Sequence, residues 1–600
     1  MSLSVFPHRL ALALGFALAA PLTSAPAQAA APTGTPEQRA AALVAQMSRE
    51  EKVAQAMNAA PAIPRLGIPA YEWWSEGLHG IARNGYATVF PQAIGLAASW
   101  NTQLMQQVGT VVSTEARAKF NQAGGPGKDH KRYAGLTIWS PNINIFRDPR
   151  WGRGMETYGE DPFLTGQLAV GFIRGLQGDD LEHPRTIATP KHIAVHSGPE
   201  PGRHGFDVDV SPRDVEATYT PAFRAALVEG QAGSVMCAYN SLHGTPACAA
   251  DWLLNGRVRG DWGFKGFVVS DCDAVDDMTQ FHYFRPDNAG SSAASLKAGH
   301  DLNCGTAYRA LGTAIERGEV DEALLDQSLV RLFAARYRLG ELQAPRKDRY
   351  ARLGAKDIDN AGNRALALQA AAESIVLLKN ANATLPLKAG TRLAVIGPNA
   401  DALAALEANY QGTSSQPVTP LLGLRQRFGA QQVRYAQGAP LAAGVPGMIP
   451  ETALRSDGKP GLRGEYFDNV ELEGAPRVTR QDRAISFNWD QVSPAKGVPA
   501  DRYAVRWSGE LLPPGTGDYT LAVRVARCFD CTGHDPVRLY IDDKLVVAGN
   551  AEDKHVPAGM HNADGRSVET VLHFDDTRPR KIRLELEHRG QDQGVRLEWL

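Results

Sequence analysis

Four apolar runs, each ending in polar or charged side chains, constrain this chain more than any other feature. Gly266-Phe267-Val268-Val269-Ser270-Asp271 is β-branched and aromatic, with glycine before it and a carboxylate after. It reads as a short, fully buried strand. Leu136–Ile145 leads into Arg147, Asp148, Arg150 and Arg153. Thr186–Thr189 runs into Lys191 and His192, and Ser234–Ala238 into Tyr239 and Asn240. A parallel strand covered on both faces is a continuous hydrophobic run. In α/β enzymes the C-terminal ends of such strands face the catalytic rim. One run of this kind is explained by wet loops beside strands. Four in series point to a single rim loaded with reactive groups, with Asp271 at its most constrained position.

A chain of 600 residues is too long for one core, so several domains are expected. The formal net charge is −2 and no long basic run occurs, which disfavours nucleic acid and anionic membrane as partners. His8 and Arg9 precede the apolar stretch Leu10–Leu22, and Ala27-Gln28-Ala29 is a small-x-small cleavage signal. Residues 1–29 therefore read as a secretory signal peptide, and the expected location is secreted or periplasmic after its removal. No later stretch is apolar enough to span a bilayer. Export permits disulfides. The six cysteines fall into near pairs, Cys237 with Cys248, Cys272 with Cys304, and Cys528 with Cys531. The first two pairs are expected to staple loops beside the rim. The third is a C-x-x-C among strand-like segments, without a second such motif, and favours a local disulfide over zinc.

Residues 37–57 read as helical, with a capping box at Ser48 and Glu51. From about 60 to 340, strand-like runs alternate with helical ones such as Arg213–Glu229 and Thr313–Leu339. That alternation predicts an α/β fold with parallel strands, and its length suits a TIM-type (β/α)8 barrel, for which about 250 residues are typical. Residues 30–345 are assigned to it. Residues 346–456 form the first part of an α/β sandwich domain. Its polar linker gives way to an Ala-rich helix at Asn360–Glu373, then to strands at Ser374–Leu378 and Leu393–Ile396 and a turn at Gly397-Pro398-Asn399. Residues 457–600 are rich in alternating strands, among them Tyr519–Val525, Val537–Ile541 and Ile582–Leu586, and read as an all-β sandwich or barrel. This β-domain interrupts the sandwich domain, so the sequence is expected to be C-terminally incomplete.

The chain resembles glycoside hydrolase family 3 through five motifs in the family's order. These are Tyr71-Glu72-Trp73-Trp74-Ser75-Glu76-Gly77-Leu78-His79-Gly80, Arg147-Asp148-Pro149-Arg150-Trp151-Gly152-Arg153-Gly154, Lys191-His192, Ser234-Val235-Met236-Cys237-Ala238-Tyr239-Asn240, and Gly266 to Asp271. Residues 461–600 resemble a PA14 domain, from Gly464-Glu465-Tyr466-Phe467 through Asp518-Tyr519-Thr520. The resemblance implies a retaining exo-β-glycosidase acting on oligosaccharides, with no cofactor and no metal. Asp271 matches the nucleophile, and Glu76, Arg153, Lys191 and His192 match residues that grip the terminal sugar. Tyr239 is expected to pack near the nucleophile. Met236 and Trp74 would offer apolar surface to the sugar's C–H face. The family's acid/base is a Glu beyond any PA14 insertion and is expected not to be in this chain. Neither Glu407 nor Glu451 lies in a matching motif. The loop from Tyr410 to Thr413 resembles the segment that reaches over the barrel mouth.

The physics of the residues agrees with that implication. A retaining glycosidase needs a nucleophilic carboxylate and a second carboxyl about 5 to 5.5 Å away. The nucleophile must be ionised, and Lys191 and Arg153 are the nearby cations that would hold it so. The motifs resemble the β-xylosidase branch, and Glu76 stands where many glucosidases of the family carry Asp. A longer acid would shrink the space for a hydroxymethyl group and favour a pentose. The alternative within the family is a β-glucosidase. The alternative of another class is a non-catalytic carbohydrate-binding protein. A metal-dependent hydrolase is disfavoured: Asp271 to Asp277 lacks the glycine and terminal glutamate of a calcium loop, and His192 and His196 have no third ligand at metal spacing. Of Trp73 and Trp74, one is expected to be core. Asp148 and Asp161 are expected to hold their loop. Oligomeric state is not legible.

Overall fold

The computed structural model describes residues 34–342, 348–439, 446–489, 493–525, 535–549, 566–590 and 593–600. The signal-peptide segment and the pair Cys528 and Cys531 lie outside the described residues.

The N-terminal region is a closed ring of short paired segments. Ala59–Ala60 pairs antiparallel with Tyr71–Glu72, and Ser75 bridges to Ile138. Thr137–Ile138 runs parallel to Ile187–Ala188, and Asn142 bridges to Lys191. Lys191–Ile193, Ser234–Cys237 and Phe267–Ser270 are parallel neighbours. Val269 then bridges to Leu302, and Asn303 to Met57, which returns to the first segment. The middle strands are buried at every position, as continuous apolar runs require. Leu136–Ile145 is more irregular than its apolar run suggests, because only Thr137–Ile138 is strand.

Helices clothe the ring. Asn101 caps Thr102–Gln122 and Asp161 caps Pro162–Gln177, each accepting from a backbone N–H of the first turn. The cap is the structural use of Asp161. These two helices meet closely because glycines face the contact. A Cβ on Gly175 would lie 2.2 Å from Gln106 O, and one on Gly171 would lie 2.5 Å from Thr102 O. The first helical region is two helices, Pro36–Val44 and Arg49–Gln55, and Ser48 with Glu51 forms the expected capping box. Thr313–Leu339 is likewise broken, into Leu311–Glu316 and Glu322–Arg338, with Gly318 at φ 68° between them. Arg213–Glu229 widens into i→i+5 turns closed by Thr220 N to Val215 O and Gly230 N to Ala225 O. Pro221, which has no N–H to give, sits between them.

Past residue 348, Ala361–Glu373 is a helix capped by Asn360, and Leu393–Ile396 pairs in parallel with Val433–Ala436. Ser374–Leu378 corrects an expectation. It is apolar enough for a strand but is not one, and Leu378 is 91% exposed. An isolated run gains nothing from extension without a neighbouring strand to satisfy its backbone.

Residues 447–600 pack two antiparallel sheets face to face. One contains Gly594–Trp599, Gly517–Val525 and Arg566–Phe574; the other contains Tyr503–Leu511, Arg580–His588 and Val537–Ile541. Buried Asp482 accepts from Tyr466 Oη at 2.6 Å and Trp507 Nε1 at 2.7 Å, so the two aromatic polar atoms are satisfied inside this core.

Trp73 is the core member of its tandem pair, 1% exposed and edge-on to both Tyr71 and Phe267 at 5.1 Å. Trp73→Ala should therefore cost about 3–5 kcal/mol in chemical denaturation. Trp100→Ala, at a position 74% exposed, should stay within about 0.5 kcal/mol of the parent.

Candidate active site

Asp271 follows the last residue of Phe267–Ser270, and its backbone N–H donates to Cys237 O on the neighbouring strand at 3.1 Å. Its own Oδ1 accepts from Cys272 N at 2.9 Å. That leaves Oδ2 toward the cleft, 3.4 Å from Arg153 Nη1 and 3.2 Å from His192 Nε2. Two disulfides brace this corner, Cys237–Cys248 and Cys272–Cys304. Asp273 is held in the left-handed region at φ 67° with its N–H on Cys304 O at 2.8 Å.

Arg153 is 4% exposed and cannot be left unpaired there. Its Nε and Nη2 make a two-point contact with Glu156, at 2.9 and 2.8 Å. Burial opposes charge on both partners, but the pair's mutual attraction wins. It holds Arg153 well above its ordinary value and Glu156 down at about 2. Asn142 Nδ2 and Asn409 Nδ2 donate to the Glu156 oxygens at 3.0 and 2.9 Å. Lys191 forms a second buried pair, its Nζ 3.1 and 3.0 Å from the two oxygens of Glu76. Trp74 Nε1 donates to the same carboxylate at 3.0 Å. Burial pushes the Glu76 carboxyl up against the pull of Lys191. The Tyr410 hydroxyl joins the pairs, accepting from Arg153 Nη2 at 2.6 Å and Lys191 Nζ at 3.3 Å.

His192 is wholly buried. Asn144 Nδ2 donates to His192 O, which fixes its Oδ1 as an acceptor, and His192 Nδ1 donates to that oxygen at 2.9 Å. Burial and the charge of Arg153 push the imidazole well below its ordinary value. A neutral ring with its proton on Nδ1 presents the Nε2 lone pair to Asp271, so their 3.2 Å approach is not an ion pair. Arg153 and Lys191 already supply the positive charge here, and the neutral form is the one the surroundings favour. A ligand hydroxyl could donate to either acceptor.

The structure thus brings together Asp271, Glu76, Arg153, Lys191 and His192 in one buried cluster. Tyr239 lies behind them, its ring 5.8 Å from His196 and 4.3 Å from His204. Burial, then the charge of Asp271, pushes its phenol up. Met236 is 1% exposed and stands in register with Lys191 on the adjacent strand, in the floor of the cluster. Asp148 pairs with Arg150 and holds its own loop. His192 and His196 lie on a strand and the turn after it, not on one helix face. Burial and neighbouring carboxylates push Asp273 up to about 6 and Asp277 up to about 9.

Glu156, Asn142 and Asn144 were not legible as site residues, and Tyr410 was legible only through its loop, which resembles the segment over the barrel mouth. Glu156 had one signal, its i,i+3 spacing from Arg153. The asparagines lie within the run Leu136–Ile145 without a pattern of their own, and Tyr410 comes from a different part of the chain.

Residues 39–335 match a family model described as glycosyl hydrolase family 3 N terminal domain, and residues 458–600 match the PA14 domain. Xylan 1,4-beta-xylosidase of Xylanibacter ruminicola is 36% identical over 546 residues, 89% of this chain and 62% of that protein. Beta-xylosidase/alpha-L-arabinofuranosidase 2 of Medicago sativa subsp. varia is 42% identical over 402 residues, 64% of this chain and 51% of that protein. The chain spans between half and two thirds of the length of these curated relatives. Among solved structures, a beta-glucosidase from Kluyveromyces marxianus in complex with glucose has a TM-score of 0.67 at 22% identity, over 94% of this chain and 65% of that one. A GH3 exo-beta-xylosidase in complex with a xylobiose aziridine probe has a TM-score of 0.63 at 24% identity, over 93% of this chain and 87% of that one. At these identities the structures establish likeness of fold.

The depressed Glu156 carboxyl predicts a pH-dependent contribution to stability. An acid bound more weakly by protons in the fold stabilises above its unfolded value and loses that contribution as pH falls through the folded one. With a folded value near 2 against an ordinary 4.5, the contribution is about 3 kcal/mol at pH 7. Glu156→Gln should therefore be markedly less stable than the parent at pH 7, and the gap should close between pH 4.5 and 2. Thermal unfolding of both proteins across that range measures it.

Proposed function

The chain belongs to glycosyl hydrolase family 3 through residues 39–335, with a PA14 domain behind them, and we propose that it is a retaining exo-β-glycosidase, a β-xylosidase by preference, acting at the non-reducing ends of plant cell-wall oligosaccharides. The observation that carries this reading is the strand-ending carboxylate of Asp271 set 3.4 Å from a buried, carboxylate-anchored arginine. A nucleophile must stay ionised inside a pocket of low dielectric, and a fixed cation beside it favours that.

In this reading one Asp271 oxygen bonds to the anomeric carbon as the glycosidic C–O bond breaks, and the leaving sugar's oxygen takes up a proton from a general acid outside this cluster or from solvent water. Water then cleaves the covalent glycosyl-enzyme with net retention. Glu76, Lys191 and Arg153 grip the sugar's hydroxyls through charge-assisted hydrogen bonds, and the uncharged His192 and Tyr410 add neutral ones. Trp74, half-buried with its ring stacked 5.7 Å from Trp139, offers a flat apolar face beside Glu76. Met236 and Tyr239 shape the floor. Glu76 and Glu156 are each committed to a cation, which suits them to holding the cradle and not to protonating the leaving group.

The closed ring, parallel apart from the pair Ala59–Ala60 with Tyr71–Glu72, is read as the (β/α)8 barrel over residues 30–345. Residues 346–456 are read as sandwich-domain sequence, and residues 457–600 as the PA14 domain. Two disulfides beside the nucleophile suit an oxidising compartment and support residues 1–29 as an export signal. Among the described residues no helix is long and apolar enough to cross a membrane.

Dinitrophenyl β-xyloside tests the reaction, because dinitrophenolate leaves with little help from an acid. The expected result is a stoichiometric burst of dinitrophenol, with Asp271→Ala slower by at least about 10⁴-fold. Absence of a burst from folded protein would set the enzymatic reading aside in favour of carbohydrate binding. The pentose preference has its own test. Glu76→Asp should raise the glucoside-to-xyloside ratio of kcat/KM by about 10-fold. An unchanged ratio would remove the argument from side-chain length and favour the β-glucosidase alternative equally.

A further inference from the structure

Tyr410 reaches the buried cations from outside the ring of strands, so something must hold it there. It lies in the segment 403–413, which is tied on two sides. Toward the ring, Ala405 O accepts from Gln92 Nε2 at 2.5 Å, Asn409 Nδ2 donates to Glu156 Oε1 at 2.9 Å, and Thr413 O accepts from Ala87 N at 2.9 Å. Toward the β domain, Ser486 Oγ donates to Glu407 Oε2 at 3.1 Å, and Asn488 Nδ2 donates to Gln411 Oε1 at 2.8 Å. These two bonds bracket Tyr410, three residues before it and one after. Ser486 and Asn488 sit on one short strand, which pairs with Gly594–Trp599 and is thereby built into the β-domain core.

The rest of the contact follows the same line. Arg480 lies 5.3 Å over the Tyr86 ring, in the loop that bridges to Thr413. Arg483 pairs with Glu451 and donates to Pro417 O at 3.2 Å. Glu407 is 5% exposed, and burial pushes its carboxyl up to about 7 in spite of Arg596 and Ser486. A carboxyl so placed needs its hydrogen-bond partner, because a buried acceptor left without one costs more than the bond itself contributes.

We propose that Ser486 and Asn488 of the β domain are positioning residues for the reaction: through Glu407 and Gln411 they hold the Tyr410 hydroxyl between Arg153 and Lys191. This inference rests on the glycosidase reading of that cluster. Its content is distinct from a domain that only screens which chains enter. A screening domain changes the use of long oligosaccharides and leaves a one-sugar substrate alone. A domain that positions Tyr410 changes turnover of the smallest substrate, because a displaced phenol frees the Arg153 Nη2 hydrogen not held by Glu156 and alters the guanidinium beside Asp271. Misplacement of a reacting group by about 1 Å can cost about 10²-fold in rate.

The test uses the whole chain, dinitrophenyl β-xyloside, and three proteins: the parent, the double variant Ser486→Ala with Asn488→Ala, and Ser486→Thr, which keeps the hydroxyl. Amide exchange of the peptide covering 403–413 is followed alongside. The expected result is at least 10-fold faster exchange of that peptide in the double variant, with exchange in Phe267–Ser270 unchanged. Its kcat should fall at least 10-fold while KM moves less than threefold, and Ser486→Thr should behave as the parent. Faster exchange with parental kcat would overturn the proposal, as would unchanged exchange. If the parent turns over no glycoside, the functional reading falls by itself. The exchange result then still decides whether these two side chains hold the segment.

Discussion

The two-point pairing of Arg153 with Glu156 is the interaction on which the site depends. A guanidinium 4% exposed is tolerable only if its charge is met and its donors are used. Glu156 takes Nε and Nη2, which turns the remaining edge toward Asp271 and Tyr410. Asn142 and Asn409 then fix the far side of Glu156. The cation beside Asp271 therefore does not drift toward it and neutralise it. It is held at 3.4 Å by a stronger partner and is still available to a ligand.

Around that pair the chain gathers segments far apart in sequence. Asp271 arrives on a central strand and is braced by backbone groups of two disulfide cysteines, Cys237 O and Cys272 N. Lys191 arrives on the neighbouring strand with its own counter-charge in Glu76, so the pocket carries two cations and three carboxylates without an unpaired buried charge. Tyr410 arrives from the segment 403–413 and is bracketed by side chains of the β domain. Three parts of the chain thus converge on one cluster: the ring fixes the carboxylates and, through its two disulfides, the turn at Asp271, the 403–413 segment carries Tyr410, and the β domain braces that segment.

Much of this was legible in the sequence, for identifiable reasons. Phe267–Ser270 and Ser234–Cys237 could be read because strands buried on both faces have no polar positions, and the residue after each run was then placed by geometry. Ser48 announced a helix start by cap chemistry, whereas the cap made by Asp161 emerged only in the structure. The expectations that missed did so where tertiary partners decide. Ser374–Leu378 has strand composition, but composition does not supply a neighbouring strand. Thr313–Leu339 keeps a helical pattern across Gly318, where backbone freedom lets the chain turn. Glu156 and Asn144 act by holding other residues, and a supporting residue has no motif of its own. Tyr410 joins the cluster across 257 positions from Arg153, a distance that no local pattern spans.

The central claim is that Asp271 is the group that attacks sugar carbon. A 2-deoxy-2-fluoro-β-xyloside with a dinitrophenyl leaving group slows hydrolysis of the covalent intermediate and lets it accumulate. Incubation with the chain, proteolysis and tandem mass spectrometry then locate the sugar. One fluoroxylosyl group on the Asp271 carboxylate is the predicted result. Attachment to another carboxylate, Glu76 or Glu156 among them, would contradict the assignment of the cluster.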